Sequence, residues 1–496
     1  MIGVIASPEE EPIAREFFEL FKTPWEFYRE RRRYDVVLST RDLAGRLDAL
    51  DAALVVLYSN DGAPGIGRSG NTRIARIGAD LFGEVRRLLL GGQSTESAAV
   101  PTLDRHVASL RDLITGCGIP LVEIPPSPAG YAFTACLTHD VDHASIRKHG
   151  LDSTAIGFLY RATLGSVARL ARGRLTLKKL MTNWGAAAKL PLVWAGLAED
   201  IWSGFDRYLG IEDGRPSTFF VIPVSGVPGR TRNGPASPIR RSGYGAADVA
   251  GKLRALGARG SEIGLHGIDA WLDGDSGREE SRFLGEAIGM PVSGVRMHWL
   301  YRDARSPEAL EDAGFAYDST VGYNDTVGYR AGTGQVFRPL GASRLLELPM
   351  HVMDTALFYP AYLDLSEDDA WRRVTAILDN AGRDGGVVTL NWHDRSIAPE
   401  RLWGDFYRRL LGEIGRRNAW FATASDAVAW FRRRRSAVFE DREADGRRRV
   451  RVTEAAGGRL PSLRLRIHTG TGASVDTPFT DGIDIPVSRG EPIYEA

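Results

Sequence analysis

The 496-residue chain has only two cysteines, Cys117 and Cys136. Two thiols cannot build a disulfide framework, and such usage fits a reducing compartment. No apolar run approaches the roughly 20 residues that cross a bilayer as a helix. An excess of one charge sign is also missing. The 63 Lys and Arg balance 63 Asp and Glu, which argues against a general nucleic-acid binder. The first twenty residues carry Glu9, Glu10, Glu11 and Glu16 and no basic-then-apolar leader pattern. The expected location is therefore the cytoplasm. Residues 1–128 hold a single histidine, His106, and no glycine-rich phosphate loop.

What is present is an ordinary 43% apolar and 25% charged composition, over a length that suggests roughly two to four domains. Residues 1–128 read as an α/β domain of unassigned role. VIAS near the start, YDVVLST at 34–40 and ALVVLYS at 53–59 are short buried strands. ADLFGEVRRLLLG is a helix stopped at Gly91 and Gly92. PPSPAG at 125–130 marks a boundary. From 129 to 436, strands and helices alternate. FTACLTH, STFFVIP, SEIGLH, SGVRMH, FAYDST, RLLELPM and GVVTLNW are the strand candidates. Ser306-Pro307-Glu308 opens one helix that Gly314 stops, with Ser306 as its cap, and Ser366 opens another that ends at Gly382. Seven apolar strands with intervening helices predict an α/β fold, a parallel sheet closed or nearly closed into a seven- or eight-stranded (β/α) barrel. Residues 437–496 alternate like strands and read as a small β appendage.

Two segments differ from their surroundings. Within an insert at 151–205, Arg161, Arg169, Arg172, Arg174, Lys178, Lys179 and Lys189 appear with Asp152 as the lone acid before Glu199. The pattern is helical and amphipathic. It suits a lid or packing helix, or a helix lying on an anionic membrane surface. The run FRRRRS at 431–436 is expected to be a solvated face.

Residues able to do chemistry gather at strand ends. TACLTHDVDH at 134–143 closes on Asp140 and Asp142, flanked by His139 and His143. Positions i and i+2 of a strand share a face. One carboxylate can hold a cation while the other works as a base. His266 ends SEIGLH, Arg296 and His298 end SGVRMH, Asp318 ends FAYD, and His393 follows LNW. The C-terminal rim is where α/β barrels build active sites.

In this order, the strand ends over about 131–435 resemble the polysaccharide deacetylases of carbohydrate esterase family four. The resemblance implies a distorted (β/α) barrel and a divalent metal, zinc first, with manganese or cobalt as alternatives. It implies a hydrolase of carbon–nitrogen bonds other than peptide bonds, which removes an N- or O-acetyl group from a sugar or glycan precursor. By motif, THDVD makes Asp140 the catalytic base and Asp142 a metal ligand. GLHGIDAW makes His266 a ligand, but Ala270 stands where the family has a second histidine. GVRMHW makes Arg296 the residue that holds the base, with His298 where the family usually has proline. LNWH gives Leu390 as a pocket wall and His393 as the catalytic acid, and FAYDST gives Asp318. Trp299 and Trp392, beside motif residues, are expected to cover a sugar face. The third metal ligand is expected from His298, with Asp269 and His143 as competitors. Two other readings remain: a non-catalytic glycan-binding protein, motivated by Ala270, and a metal-independent, allantoinase-like C–N hydrolase. The expected partner is a nucleotide-linked or lipid-linked sugar, with possible peripheral membrane contact through 151–200 and no nucleic acid.

Overall fold

The computed structural model of the protein describes residues 1–41, 50–59, 64–70, 72–150, 152–441, 447–454, 460–469 and 472–486. All counts below concern these residues. The expected C-terminal stretch therefore lies outside them over 487–496.

The first sheet has six strands in the order Trp25–Phe27, Ile2–Ile5, Tyr34–Ser39, Ala52–Tyr58, Thr72–Ile77 and Gly65–Ser69. Pairing is parallel except in the last hairpin. Helices Glu11–Phe21, Leu81–Gly91 and Thr102–Gly116 cover it through a core that includes Phe17, Leu38, Leu54, Phe82 and Leu103. Asp80 caps the second helix by accepting the Gly83 N–H at 2.9 Å.

The second sheet has nine strands, all parallel, and curls into an open half-barrel with helices around it. Its order is Leu346–Glu347, Tyr317–Asp318, Gly294–Met297, Glu262–Gly267, Thr218–Val221, Phe133–Val141, Val387–Asn391 and Val352–Met353. Ala419–Ala422 pairs with the first half of Phe133–Val141. That central strand is buried at every position, as a strand covered on both faces must be. The edge strands Leu346–Glu347 and Val352–Met353 do not pair with each other.

Helix boundaries differ from the sequence expectation in two places. Ser306 is the first residue of its helix rather than the cap, and its hydroxyl accepts the Asp303 N–H at 2.8 Å. The helix capped by Ser366 runs through Gly382 to Asp384 and stops at Gly385, whose φ of 79° favours glycine.

The arginine run is not a solvated face. It forms the end of helix Ala424–Arg435, and Arg433 and Arg434 are 2% and 1% exposed. Arg434 donates to the carbonyls of Glu19 (3.1 Å), Leu20 (2.9 Å) and Ile124 (2.9 Å) and to Gln335 Oε1 (3.2 Å). Arg435 holds Glu16 through two bonds of 2.8 and 2.7 Å. The last turn of helix Glu11–Phe21 leaves carbonyls without helical partners, and the guanidinium supplies donors for two of them. The run therefore clamps the first sheet's helix to the barrel.

The insert is a helical hairpin. One arm is Ser153–Tyr160, a π-helical turn Arg161–Gly165 and Ser166–Ala171, and the other is Leu177–Trp194. No helix among the described residues is long and apolar enough to cross a membrane.

Candidate active site

The C-terminal ends of the central strands open into a cavity of about 370 Å³. Asp140, Asp142, His143, His266, His298, Trp299 and His393 line it. Register explains part of this: His266 and Arg296 are Cα partners on neighbouring strands, and Thr138 faces Asn391 across another pair.

Asp140 is fixed from two sides. Arg296 Nη1 donates to its Oδ1 at 2.8 Å, and Asn391 Nδ2 donates to its Oδ2 at 2.8 Å. Arg296 is itself fully buried and also donates to Thr138 Oγ1 (2.8 Å), the Ser319 carbonyl (3.0 Å) and Ser319 Oγ (2.9 Å). Burial opposes ionisation of Asp140. The Arg296 charge, helped by His266 and His393, outweighs it and holds the carboxyl below its ordinary value.

Asp142 Oδ1 is buried and accepts no hydrogen bond. It faces Nε2 of His266 at 3.4 Å and Nε2 of His298 at 3.8 Å. Ligand atoms about 3.3–3.4 Å apart are what tetrahedral coordination at about 2.0–2.1 Å requires. The three residues offer atoms all within 4.8 Å of one another. His266 Nδ1 bonds the Arg296 carbonyl at 3.0 Å, which makes Nδ1 the donor and turns Nε2 toward Asp142. Burial, then the charge of His266, pushes His298 down to about 3, so its imidazole is neutral. A buried carboxylate oxygen without a donor beside two imidazoles is a donor set that fits a divalent cation.

The other expected ligands are occupied elsewhere. Asp269 accepts the Arg230 N–H at 2.7 Å and pairs with its Nε at 3.3 Å. His143 lines the cavity, with Nδ1 3.2 Å from His149 Nε2. Ala270 is fully buried in the core.

His393 lies across the cavity, with Nε2 4.0 Å from Asp142 Oδ2. Asp354 takes both its Nδ1 and its backbone N–H at 2.6 Å. Burial disfavours the imidazolium, but Asp354 more than compensates and raises His393 to about 9.

Trp299 is 50% exposed at the cavity wall, with a left-handed φ of 63°. Arg240 donates to the His298 carbonyl (3.2 Å) and Asn324 to the Trp299 carbonyl (3.2 Å), which holds this unfavourable backbone in place. Leu390, Trp392 and Asp318 do not line the cavity. Leu390 and Trp392 are fully buried, and the Trp392 indole stacks on Tyr407 with centroids 5.0 Å apart. Strand alternation sends Asn391 to the site and its neighbours to the core. Asp318 sits in register with Glu347 on the next strand. Burial raises both carboxyls.

Asn391 and Asp354 were not anticipated. Asn391 stands two residues before His393 in LNWH, at the spacing that singled out Asp140 and Asp142. Asp354 follows the two-residue strand Val352–Met353, too short to show a period.

No protein-family description and no curated protein sequence matches the chain. Solved structures do. A protein from Mycobacterium smegmatis described as a polysaccharide deacetylase is 21% identical, with 62% of this chain and 95% of that one covered and a TM-score of 0.36. The Puue allantoinase is 16% identical over 62% and 92%, with a TM-score of 0.38. A protein from Pseudomonas aeruginosa PAO1, also described as a polysaccharide deacetylase, is 16% identical over 62% and 94%, with a TM-score of 0.38. Scores this low assign no chemistry to the chain.

Proposed function

We propose that the protein is a metal-dependent hydrolase that removes an acetyl group from an N- or O-acetylated sugar or glycan precursor. The observation that carries this reading is the convergence of a clamped carboxylate, the Asp142–His266–His298 cluster and an Asp-held histidine in one cavity. Asp142, His266 and His298 would hold the metal. A divalent cation there would polarise an acyl carbonyl and lower the pKa of water, and one carboxylate with two imidazoles suits zinc, with manganese or cobalt as alternatives.

The remaining roles belong to the chain's own groups. Asp140 accepts the proton of the attacking water, and Arg296 keeps it ionised and aimed. His393 presents Nε2 to the cavity because Asp354 occupies Nδ1, and it protonates the departing amine or alkoxide. Trp299 covers an apolar sugar face. The free thiols of Cys117 and Cys136 fit a cytoplasmic setting.

Acetate release from a panel of acetylated sugars with zinc, manganese and cobalt tests the reading, alongside metal analysis of protein purified without chelator. Asp140→Asn should lower turnover about 10²–10⁴-fold with metal content unchanged. His298→Ala should lower the metal-to-protein ratio. Full activity in Asp140→Asn would sink the assignment, and an unchanged ratio in His298→Ala would move the third ligand to Asp269 or His143. Sugar binding without metal or turnover would indicate a glycan-binding protein. Hydrolysis that survives chelation would indicate the metal-independent C–N hydrolase.

A further inference from the structure

The cavity also has charged lining residues that the hydrolytic groups do not use. Arg161, Arg395 and Arg401 are among them, as are Arg240 and Arg241. Arg161 comes from the insert, at the start of the π-helical turn, a kind of irregularity frequent at functional sites. Arg395 and Arg401 come from the loop that carries His393. The three are close enough to act on one another: after burial, the Arg401 charge is the largest influence lowering the pKa of both Arg161 and Arg395.

Their hydrogen-bonding capacity is largely unspent. Arg161 Nε and Arg401 Nε are buried without partners. Arg401, only 7% exposed, makes one long bond of 3.4 Å to Ser396 Oγ. The Arg395 guanidinium lies 4.7 Å over the Trp202 ring. Two acids are near. Asp394 is committed to the backbone N–H groups of His143 (3.1 Å), Ala144 (2.9 Å) and Arg395 (2.9 Å). Glu400 gives one oxygen to the Trp202 indole at 2.9 Å. Three guanidinium groups against two carboxylates leave positive charge and planar donor forks facing the cavity. Such forks match a phosphoryl group, with several acceptor oxygens, better than a neutral sugar.

We propose that the substrate carries a phosphoryl group on the acetylated sugar, and that Arg161, Arg395 and Arg401 receive it. The bond broken rests on the deacetylase reading; the anion subsite does not. Calorimetry on chelator-treated protein separates the two, because phosphate then has no cation to bind. N-acetylglucosamine 1-phosphate should bind at least tenfold tighter than N-acetylglucosamine, and Arg161→Gln and Arg401→Gln should each remove most of that preference. Equal affinity for the two sugars in the native protein, a comparison that needs no variant, overturns the subsite. So does a preference that both variants keep. With metal restored, tight phosphosugar binding without acetate release sinks the deacetylase reading and leaves the subsite standing. Acetate release at equal rates from both sugars does the reverse. A nucleotide-diphosphate sugar and a polyprenyl-diphosphate sugar, compared by kcat/KM, then identify the source of the phosphoryl group.

A different observation concerns the outer face of the insert. Ile156, Tyr160, Leu164 and Val167 are exposed on the first arm, and Leu177, Met181, Trp184 and Leu192 on the second. Spacings of three, four and, from Trp184 to Leu192, eight residues place each set on one side of its helix, opposite the buried Phe158, Ala162, Leu190 and Val193. Arg174 and Lys179 pair with Asp364 and Glu367 of the barrel. Arg172, Lys178 and Lys189 are exposed, and no acid lies between Asp152 and Glu199. An apolar stripe with basic neighbours and no acids complements an anionic interface.

We further propose that this face rests on an anionic lipid bilayer. The full chain should co-sediment with phosphatidylcholine vesicles containing 30% phosphatidylglycerol, and much less with pure phosphatidylcholine. The triple variant Leu164→Gln, Met181→Gln, Trp184→Gln should weaken this at least tenfold while leaving acetate release from a soluble substrate unchanged. No co-sedimentation, or binding that survives the triple variant, overturns the proposal. A dimer in sedimentation velocity that the variant dissolves, with no vesicle binding, would also overturn it and assign the face to a second copy of the chain.

Discussion

Arg434→Met is the sharpest test of how the two sheets are joined. Methionine keeps most of the side-chain volume and removes the donors. The carbonyls of Glu19, Leu20 and Ile124 and Gln335 Oε1 then lose a buried guanidinium partner. Net hydrogen bonds to charged groups are worth about 1.5–3 kcal/mol each, so four give a gross loss of about 6–12 kcal/mol. The bonds share one group and are not additive, and water can enter the space. The realistic loss is about 3–5 kcal/mol, the usual size when a buried charge network is broken. Whole domains are stable by only about 5–15 kcal/mol. Urea unfolding at neutral pH, with tryptophan fluorescence as readout, should therefore show a clear drop in midpoint. Limited proteolysis should gain cleavage in the 125–130 connection. Arg432→Met on the same helix is the control. Arg432 is half-buried and bonds only the carbonyls of Arg344 and Ala316 among the described residues, in exposed bonds, so its loss should cost about 1 kcal/mol. If Arg434→Met unfolds within about 0.5 kcal/mol of the native protein, the clamp argument is wrong.

Asp354→Asn leaves His393 without the carboxylate that orients Nδ1. Turnover should fall about 100-fold with KM within about twofold, and unchanged turnover in the acetate assay would remove His393 as the acid. Asp104 tests electrostatics away from the cavity. It accepts bonds from Gly334 N–H (2.8 Å), the Thr333 hydroxyl (2.7 Å) and Gln335 Nε2 (3.1 Å), yet burial pushes it up to about 6. Since the folded value exceeds the unfolded one, Asp104 supports the fold below about pH 4 and stops doing so as pH rises through 6. At about 1.4 kcal/mol per pH unit the change is about 3 kcal/mol. Asp104→Asn should flatten stability between pH 4 and 6, and identical urea midpoints against pH in both proteins would refute this.

The fold was legible wherever an element was long enough to show its period. Phe133–Val141, Glu262–Gly267 and Val387–Asn391 stand where the apolar runs place them. Val352–Met353 and Ala419–Ala422 were not visible, because two to four residues carry no period. The arginine run misled for another reason. Charge in sequence predicts exposure on average, but these arginines are paid for by acceptors more than three hundred residues away in the case of Glu19 and Leu20, which no local pattern records.

The site divides along the same line. Candidate residues at strand ends announce themselves by spacing, and Asp140, Asp142, His266, Arg296, His298 and His393 meet around one cavity or beneath it. Residues that act from a core strand do not, since alternation alone decides whether Leu390 or Asn391 faces the carboxylate. The metal site proposed above needs no ligand at Ala270. Position 270 lies in the turn after Glu262–Gly267 and is buried against the core, whereas His298 directly follows strand Gly294–Met297, two residues beyond Arg296, whose neighbour in register is His266. A ligand supplied from that strand end reaches Asp142 Oδ1 at 3.8 Å without help from the loop. The proposed cation site then draws this ligand from the residue next to a sheet strand. That makes metal content of His298→Ala, more than any substitution at Ala270, the measurement on which hydrolysis or mere binding turns.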